Sequence, residues 1–374
     1  MHMNKKYKKN GLIELMRFVF ASIIIIFHVN KDLWNRKIVL FRLGSFRFTP
    51  AQNGNIGVEF FFLVSGALMA MTIYRLHRTE QEASIGIETA GYIWKKCKQI
   101  WLYYLSICAV SFFVRLATGQ KFAFWKLLSM VPSLLFLQRT GIGSMNLLGV
   151  AWYLSSMLIA MAILYPVCRK YYDLFTLVWA PVFGTLILGA LIKNTGTLGE
   201  SNEWISVIYK TNIRAIADIS LGTTCYELAR RLKEQTFSVR KRWLLTGVGF
   251  VTYGIAFMYI CSNRSSTYGG IIFLLLAIAV TISFSESGCL VHHQWFQNKL
   301  CMFLGSISLP MYLMQDVFRR LVPYYAAGSS KKVKALLIFF GTLVSAILVK
   351  AIISFCAERY LKKRTGKADQ AEKA

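Results

Sequence analysis

In the apolar run GLIELMRFVFASIIIIFHVN, only three side chains can ionise: Glu14, Arg17 and His28. Such groups are costly inside a bilayer and mark function by default. Eleven residues separate Arg17 from His28. On a helix that is within about 20° of three full turns, so both project from one face, roughly 16 Å apart along the axis. Glu14, three residues before Arg17, is placed to pair with the guanidinium and fix its direction. The chemistry this allows is an anion held at Arg17 on one side of a membrane while a base at His28 meets a second reactant from the other. Taken singly, snorkelling of Arg17 to headgroups and a helix end at His28 explain the two residues equally well. Their shared face favours the functional reading.

A second set follows in GNIGVEFFFLVSGALMA. Glu59 falls at the depth expected for His28, where a carboxylate–imidazole contact would orient the ring. Ser65 and Gly66 fall near the bilayer centre, where they serve either as a hydrogen-bonding group with a close-approach site or as ordinary small-residue packing. The stretch YIWKKCKQIWLYYL groups Lys95, Lys96 and Lys98 between Trp94 and Trp101. It reads as a phosphate-binding cluster or as an inner loop of the usual positive-inside kind. Trp152 and Tyr153, opening a further apolar run, fit an aromatic belt or the rim of a polar pocket.

The elements that must carry these residues are membrane helices. Of 374 residues, 55% are hydrophobic and 16% charged, which excludes a soluble globular chain. The formal charge of +27 would raise nucleic acid as a partner in a soluble protein. Here the basic residues lie between apolar runs, so no nucleic acid is expected and the lipid bilayer is the expected partner. Runs long enough to span cover approximately 12–29, 56–74, 99–117, 150–168, 173–192, 212–229, 243–261, 268–285, 300–318 and 333–356. The expectation is an all-α integral membrane protein, a bundle of about ten transmembrane helices. The apolar stretch 122–137, broken by Lys126 and Pro132, reads as interfacial or re-entrant. The first run lacks a cleavage site and should remain as a helix. Residues 1–360 form one membrane domain, and the polar segment 361–374 reads as a disordered cytoplasmic tail. The clusters Lys5, Lys6, Lys8, Lys9 and Lys362, Lys363, Arg364 place both termini in the cytoplasm, with Arg75 and Arg78 in an inner loop. The eight cysteines include no CxxC pair, and neither a metal site nor a disulfide is expected.

Together these positions resemble the acyltransferase 3 family of integral membrane acyltransferases, which O-acylate cell-surface glycans. The resemblance covers nearly the whole chain. Its first-helix pattern, an acid, Arg three later, ten residues and His, is met by Glu14, Arg17 and His28. Its second-helix pattern, G-V-[DE]-x-F-F-x-x-S-G, is met by Gly57, Val58, Glu59, Phe61, Phe62, Ser65 and Gly66. The resemblance implies His28 as catalytic base, Arg17 on the donor side, acyl-CoA (acetyl-CoA favoured) as donor substrate with no resident cofactor, a glycan or lipid-linked sugar as acceptor, and a bacterial plasma membrane. Three positions depart from it. Lys95, Lys96, Cys97, Lys98 and Gln99 replace the R-x-x-R motif, with Leu102 for the proline after it; Met157 stands where many members carry Glu; Gln315 stands where His is common. The W-Y-L-S form at Trp152 to Ser155 resembles a branch found in Gram-positive bacteria, which includes the membrane part of serine racemases of glycopeptide resistance. A non-catalytic transporter or sensor on the same scaffold is therefore the competing reading. Reporter fusions test the topology: both ends should read as cytoplasmic, and an external signal from either would reverse the assignment.

Overall fold

The computed structural model describes residues 10–371, apart from 45, 78–83, 143–144, 200–201 and 290–295. Lys5, Lys6, Lys8, Lys9 and Arg78 lie outside these, as do the side chains of Lys362, Lys363 and Arg364. Among the described residues ten long helices form where apolar runs were expected: α1 (Gly11–Trp34), α2 (Gly57–His77), α3 (Ile85–Ala117), α4 (Trp152–Lys170), α5 (Tyr172–Thr195), α6 (Lys210–Glu234), α7 (Val239–Ile260), α8 (Gly269–Ser285), α9 (Lys299–Tyr325) and α10 (Lys331–Ala371). The protein is 78% helical, and eight of the ten helices are long and apolar enough to cross a membrane. The other two are α8, apolar but only 17 residues long, and α6.

α6 inverts the usual rule. Its sequence is rich in polar residues, yet Thr211, Asn212, Arg214, Asp218, Ser220, Thr223 and Glu227 are all buried. The helix is enclosed by α2, α4, α5 and α8, so protein rather than lipid surrounds it and supplies partners for its polar groups. Apolar α10, by contrast, is the least buried of the spans and turns Leu336, Phe340, Val344, Leu348 and Ile352 outward.

Local signals set the helix ends that matter for the site. The Asn10 side chain accepts from the Leu12 and Ile13 amides at 3.0 and 3.2 Å and so starts α1; Asn35, in the left-handed conformation at φ 50°, ends it. The 122–137 stretch does not cross. It forms two short helices, Phe124–Leu128 and Val131–Leu134, exposing Phe124, Trp125 and Leu128. Tyr104 of α3 anchors it by donating to the Ser133 carbonyl at 2.9 Å. Two antiparallel pairs, Phe41–Leu43 with Phe46–Phe48 and Trp204–Ile205 with Ile208–Tyr209, complete the secondary structure of the expected outer side.

α2 and α6 approach most closely at Gly66 and Gly222. A Cβ on Gly66 would lie 2.1 Å from the Ile219 carbonyl oxygen, and one on Gly222 would lie 2.3 Å from that of Leu63. Backbone on both sides leaves no flexible group to give way. Gly66→Val or Gly222→Val should therefore separate the helices and cost at least about 1–3 kcal/mol. Thermal unfolding of the purified protein would check this, and an unchanged transition would show that the contact is not tight.

Candidate active site

α1, α2, α3, α4 and α9 enclose a cavity of about 570 Å³. Near the inner end of α1 it is lined by Glu14, Arg17, Lys96, Gln99 and Ser306. The Arg17 guanidinium donates to both Glu14 carboxylate oxygens at 3.0 and 3.1 Å, so its direction is fixed from within its own helix. Glu14 is itself wedged against α9, since a Cβ on Gly305 would stand 2.0 Å from its Oε2. Of the three lysines before the tryptophan-flanked start of the third span, only Lys96 lines the cavity, where it and Arg17 act on each other electrostatically. Lys95 is exposed, and Lys98 lies over the Trp94 ring, 5.1 Å from its centroid. Steps of about 100° per residue turn the neighbouring lysines off the face that Lys96 occupies.

Further along, the cavity is lined by Ser65, Tyr153 and Met157. The Ser65 and Tyr153 hydroxyls are 3.3 Å apart, and Ser65 also reaches the Met157 sulfur at 3.5 Å. The thioether thus meets the serine from the position at which the resemblance implies a carboxylate. Gly66, beside Ser65, serves the backbone contact with α6.

The cavity stops short of His28. Ile24, Val58 and Tyr312 line its upper part, and His28, one turn beyond Ile24, is not among its lining residues. The imidazole packs edge-on to Phe27 at 5.2 Å, and its Nδ1 is buried with no hydrogen-bond partner among the described residues. The expected contact between His28 and Glu59 is not formed. Glu59, fully buried, pairs with Arg214 of α6 at 2.5 Å, while Asp218 approaches the same guanidinium at 3.8 Å. A buried arginine leaves its carboxylate no freedom to serve a second partner at this depth. The charges that act on His28 are Arg319, Lys31 and Arg36.

A network missing from the sequence analysis surrounds this outer end. Arg319 of α9 binds Asp32 of α1 at 2.6 and 3.0 Å and Asp316 at 3.0 Å. Asp316 in turn accepts from the amides of Gly149 and Val150, the turn that opens α4, and Tyr312 donates to the Val150 carbonyl at 2.6 Å. Trp152 lies under Arg139, whose guanidinium is 5.8 Å from its ring and 4.8 Å from that of Tyr209. Burial moves the Arg139 pKa down, and Tyr209 opposes that shift. Arg214, Asp218 and Asp316 were readable as charges inside expected spans, the same signal that singled out the first helix, and Arg319 falls just past the end of the span 300–318. Gln315 is buried and donates to the Tyr312 carbonyl at 2.7 Å.

A family model described as an acyltransferase domain matches residues 10–355, nearly the whole chain. The chain belongs to the acyltransferase 3 family. No curated protein and no solved structure matches it. In this acyltransferase 3 protein the donor-side candidates Arg17 and Lys96 share one cavity with Ser65 and Tyr153, whereas His28, Glu59 and Trp152 stand outside its lining.

The wedge at Gly305 makes a sharp test of the Arg17 geometry. Gly305→Ala should displace the Glu14 side chain and release Arg17, reducing acyl transfer while the helical content, read by circular dichroism, stays intact. Arg214→Met should act on stability instead: it strands two buried carboxylates, at a cost of about 3–5 kcal/mol, seen as a lowered thermal transition.

Proposed function

We infer that this membrane acyltransferase moves an acyl group, acetyl by preference, from cytoplasmic acyl-CoA to a hydroxyl of an exported or lipid-linked glycan at a bacterial plasma membrane. One observation carries the reading: Arg17 and Lys96 line one cavity at the inner end of α1, and that cavity rises along the same helix to within one turn of His28. Cations at the inner end suit the phosphates of CoA. The chemistry then needs a base near neutral pKa and a donor for the developing oxyanion. His28 takes the proton of the acceptor hydroxyl, the oxygen attacks the thioester carbon, and the collapsing intermediate expels the CoA thiolate, which is protonated by the imidazolium. Tyr153 and Ser65, hydrogen-bonded to each other on the cavity wall, are the side-chain candidates for the oxyanion donor. Glu59, held by Arg214, supports the scaffold of α2 and α6 in this scheme.

Transfer on this scheme requires the stretch between Ile24 and His28 to open when substrates bind. That closed stretch is also what favours the second reading, a transporter or sensor module without acyl transfer. Mass spectrometry of surface glycans with and without the protein separates the two, an acetyl ester increment present only with the protein supporting transfer. His28→Ala should lower the increment by about a hundredfold or more, the usual loss for a general base, with insertion unchanged. Gln315→Ala should do far less. Full acylation by the His28→Ala protein would remove His28 from the mechanism.

A further inference from the structure

The peripheral helix α10 carries one ionisable residue deep in its apolar stretch. Lys350 lies 15 residues beyond Ala335, where the apolar run of α10 begins after its opening lysines, about 23 Å at 1.5 Å per residue into a hydrocarbon core of about 30 Å. The ammonium therefore stands in the inner half of the span, the side on which Arg17 lies. It points inward. Lys350 Nζ meets the Ser306 hydroxyl and lies 4.3 Å from the Phe303 ring centroid, both on α9. The Ser306 hydroxyl donates to the Phe303 carbonyl at 2.5 Å, so it accepts from the ammonium.

Ser306 is a lining residue of the inner cavity. Its neighbour Gly305 is where Glu14 is wedged, and Glu14 holds Arg17. Lys350 is thus one hydrogen bond behind the cavity wall, in the same chain of contacts as Arg17. Lys96 faces that cavity from α3. α1 and α3 each bring one cation to the lining and α10 brings a third one hydrogen bond behind it, against a single carboxylate among the described lining residues, Glu14, which Arg17 already engages. A polyanion satisfies such an arrangement better than a singly charged ligand.

We propose that Lys350 is a third donor-binding cation, which contacts a phosphate of CoA by turning from Ser306 into the cavity and so closes the site on its α9–α10 side. This rests on the reading of acyl-CoA as donor. The alternative fate of such a lysine is to snorkel to the inner headgroups and leave the site alone.

Calorimetric binding to the purified full chain distinguishes these, with CoA, adenosine 3′,5′-bisphosphate and pantetheine as probes. Lys350→Gln should weaken CoA and the bisphosphate about tenfold, the scale of one charge-assisted hydrogen bond, and leave pantetheine unchanged. Lys350→Arg should restore most of the loss. Unaltered CoA binding by Lys350→Gln, with the wild type binding normally, overturns the role of Lys350 alone. Equal weakening of pantetheine also overturns it, because the residue would then be acting through α9–α10 packing. A folded wild-type protein that binds neither CoA nor the bisphosphate overturns the donor reading itself and the inference with it.

Discussion

The bundle is organised around a guanidinium that has nowhere else to go. Arg214 sits at the buried face of α6 with Glu59 and Asp218 around it and with the carbonyls of Leu198 and Asn55 accepting at 2.8 and 3.4 Å. In a low-dielectric interior an uncompensated charge is far costlier than an imperfect pair. α2 must therefore present Glu59 opposite Arg214, which fixes the register of the two helices. Seven residues along α2, the same register brings Gly66 against Gly222, so electrostatics and close packing enforce one alignment. α2 also carries Ser65, and α4, hydrogen-bonded to α6 from Ser156 to Asn212 at 2.8 Å, carries Tyr153. The wall of the cavity is thus indexed to α6, although α6 contributes no residue to its lining.

At the other side of the cavity, α1 and α9 are joined twice, by different means. Near the inner end the join is steric, Glu14 against Gly305. At the outer end it is ionic, Asp32 with Arg319. The first sets where Arg17 points, and the second holds Arg319 where its charge acts on His28. Along one helix the two functional candidates therefore sit in opposite settings: Arg17 beside a carboxylate on the cavity lining, His28 among Lys31, Arg36 and Arg319 beyond it.

Helix positions were legible because bilayer length and apolarity are local properties of the chain, and the first-helix charges were legible because they interrupt an unbroken run. The position of α6 was legible while its character was not: a run at 212–229 looks like another lipid-facing span until its polar residues are seen to face α2, α4, α5 and α8. Partner choice was the information missing from spacing. Depth alone allots Glu59 equally to His28 or Arg214, and only the tertiary arrangement decides for Arg214. Likewise Lys95, Lys96 and Lys98 are equivalent as a charge cluster and distinct as a helix face.

The turn that opens α4 carries no capping side chain of its own, and its amides are satisfied by Asp316 from α9. With the Tyr312 hydroxyl on the Val150 carbonyl, the start of α4 is latched to α9 by donors and acceptors running both ways. Arg319 extends the latch to α1 through Asp32. Mechanically the outer ends of α1 and α4 are both tied to α9, and neither seam can part without exposing a helix terminus or stranding a charge. Movement at that end therefore falls to side chains swinging along the α9 seams more than to helices splaying apart.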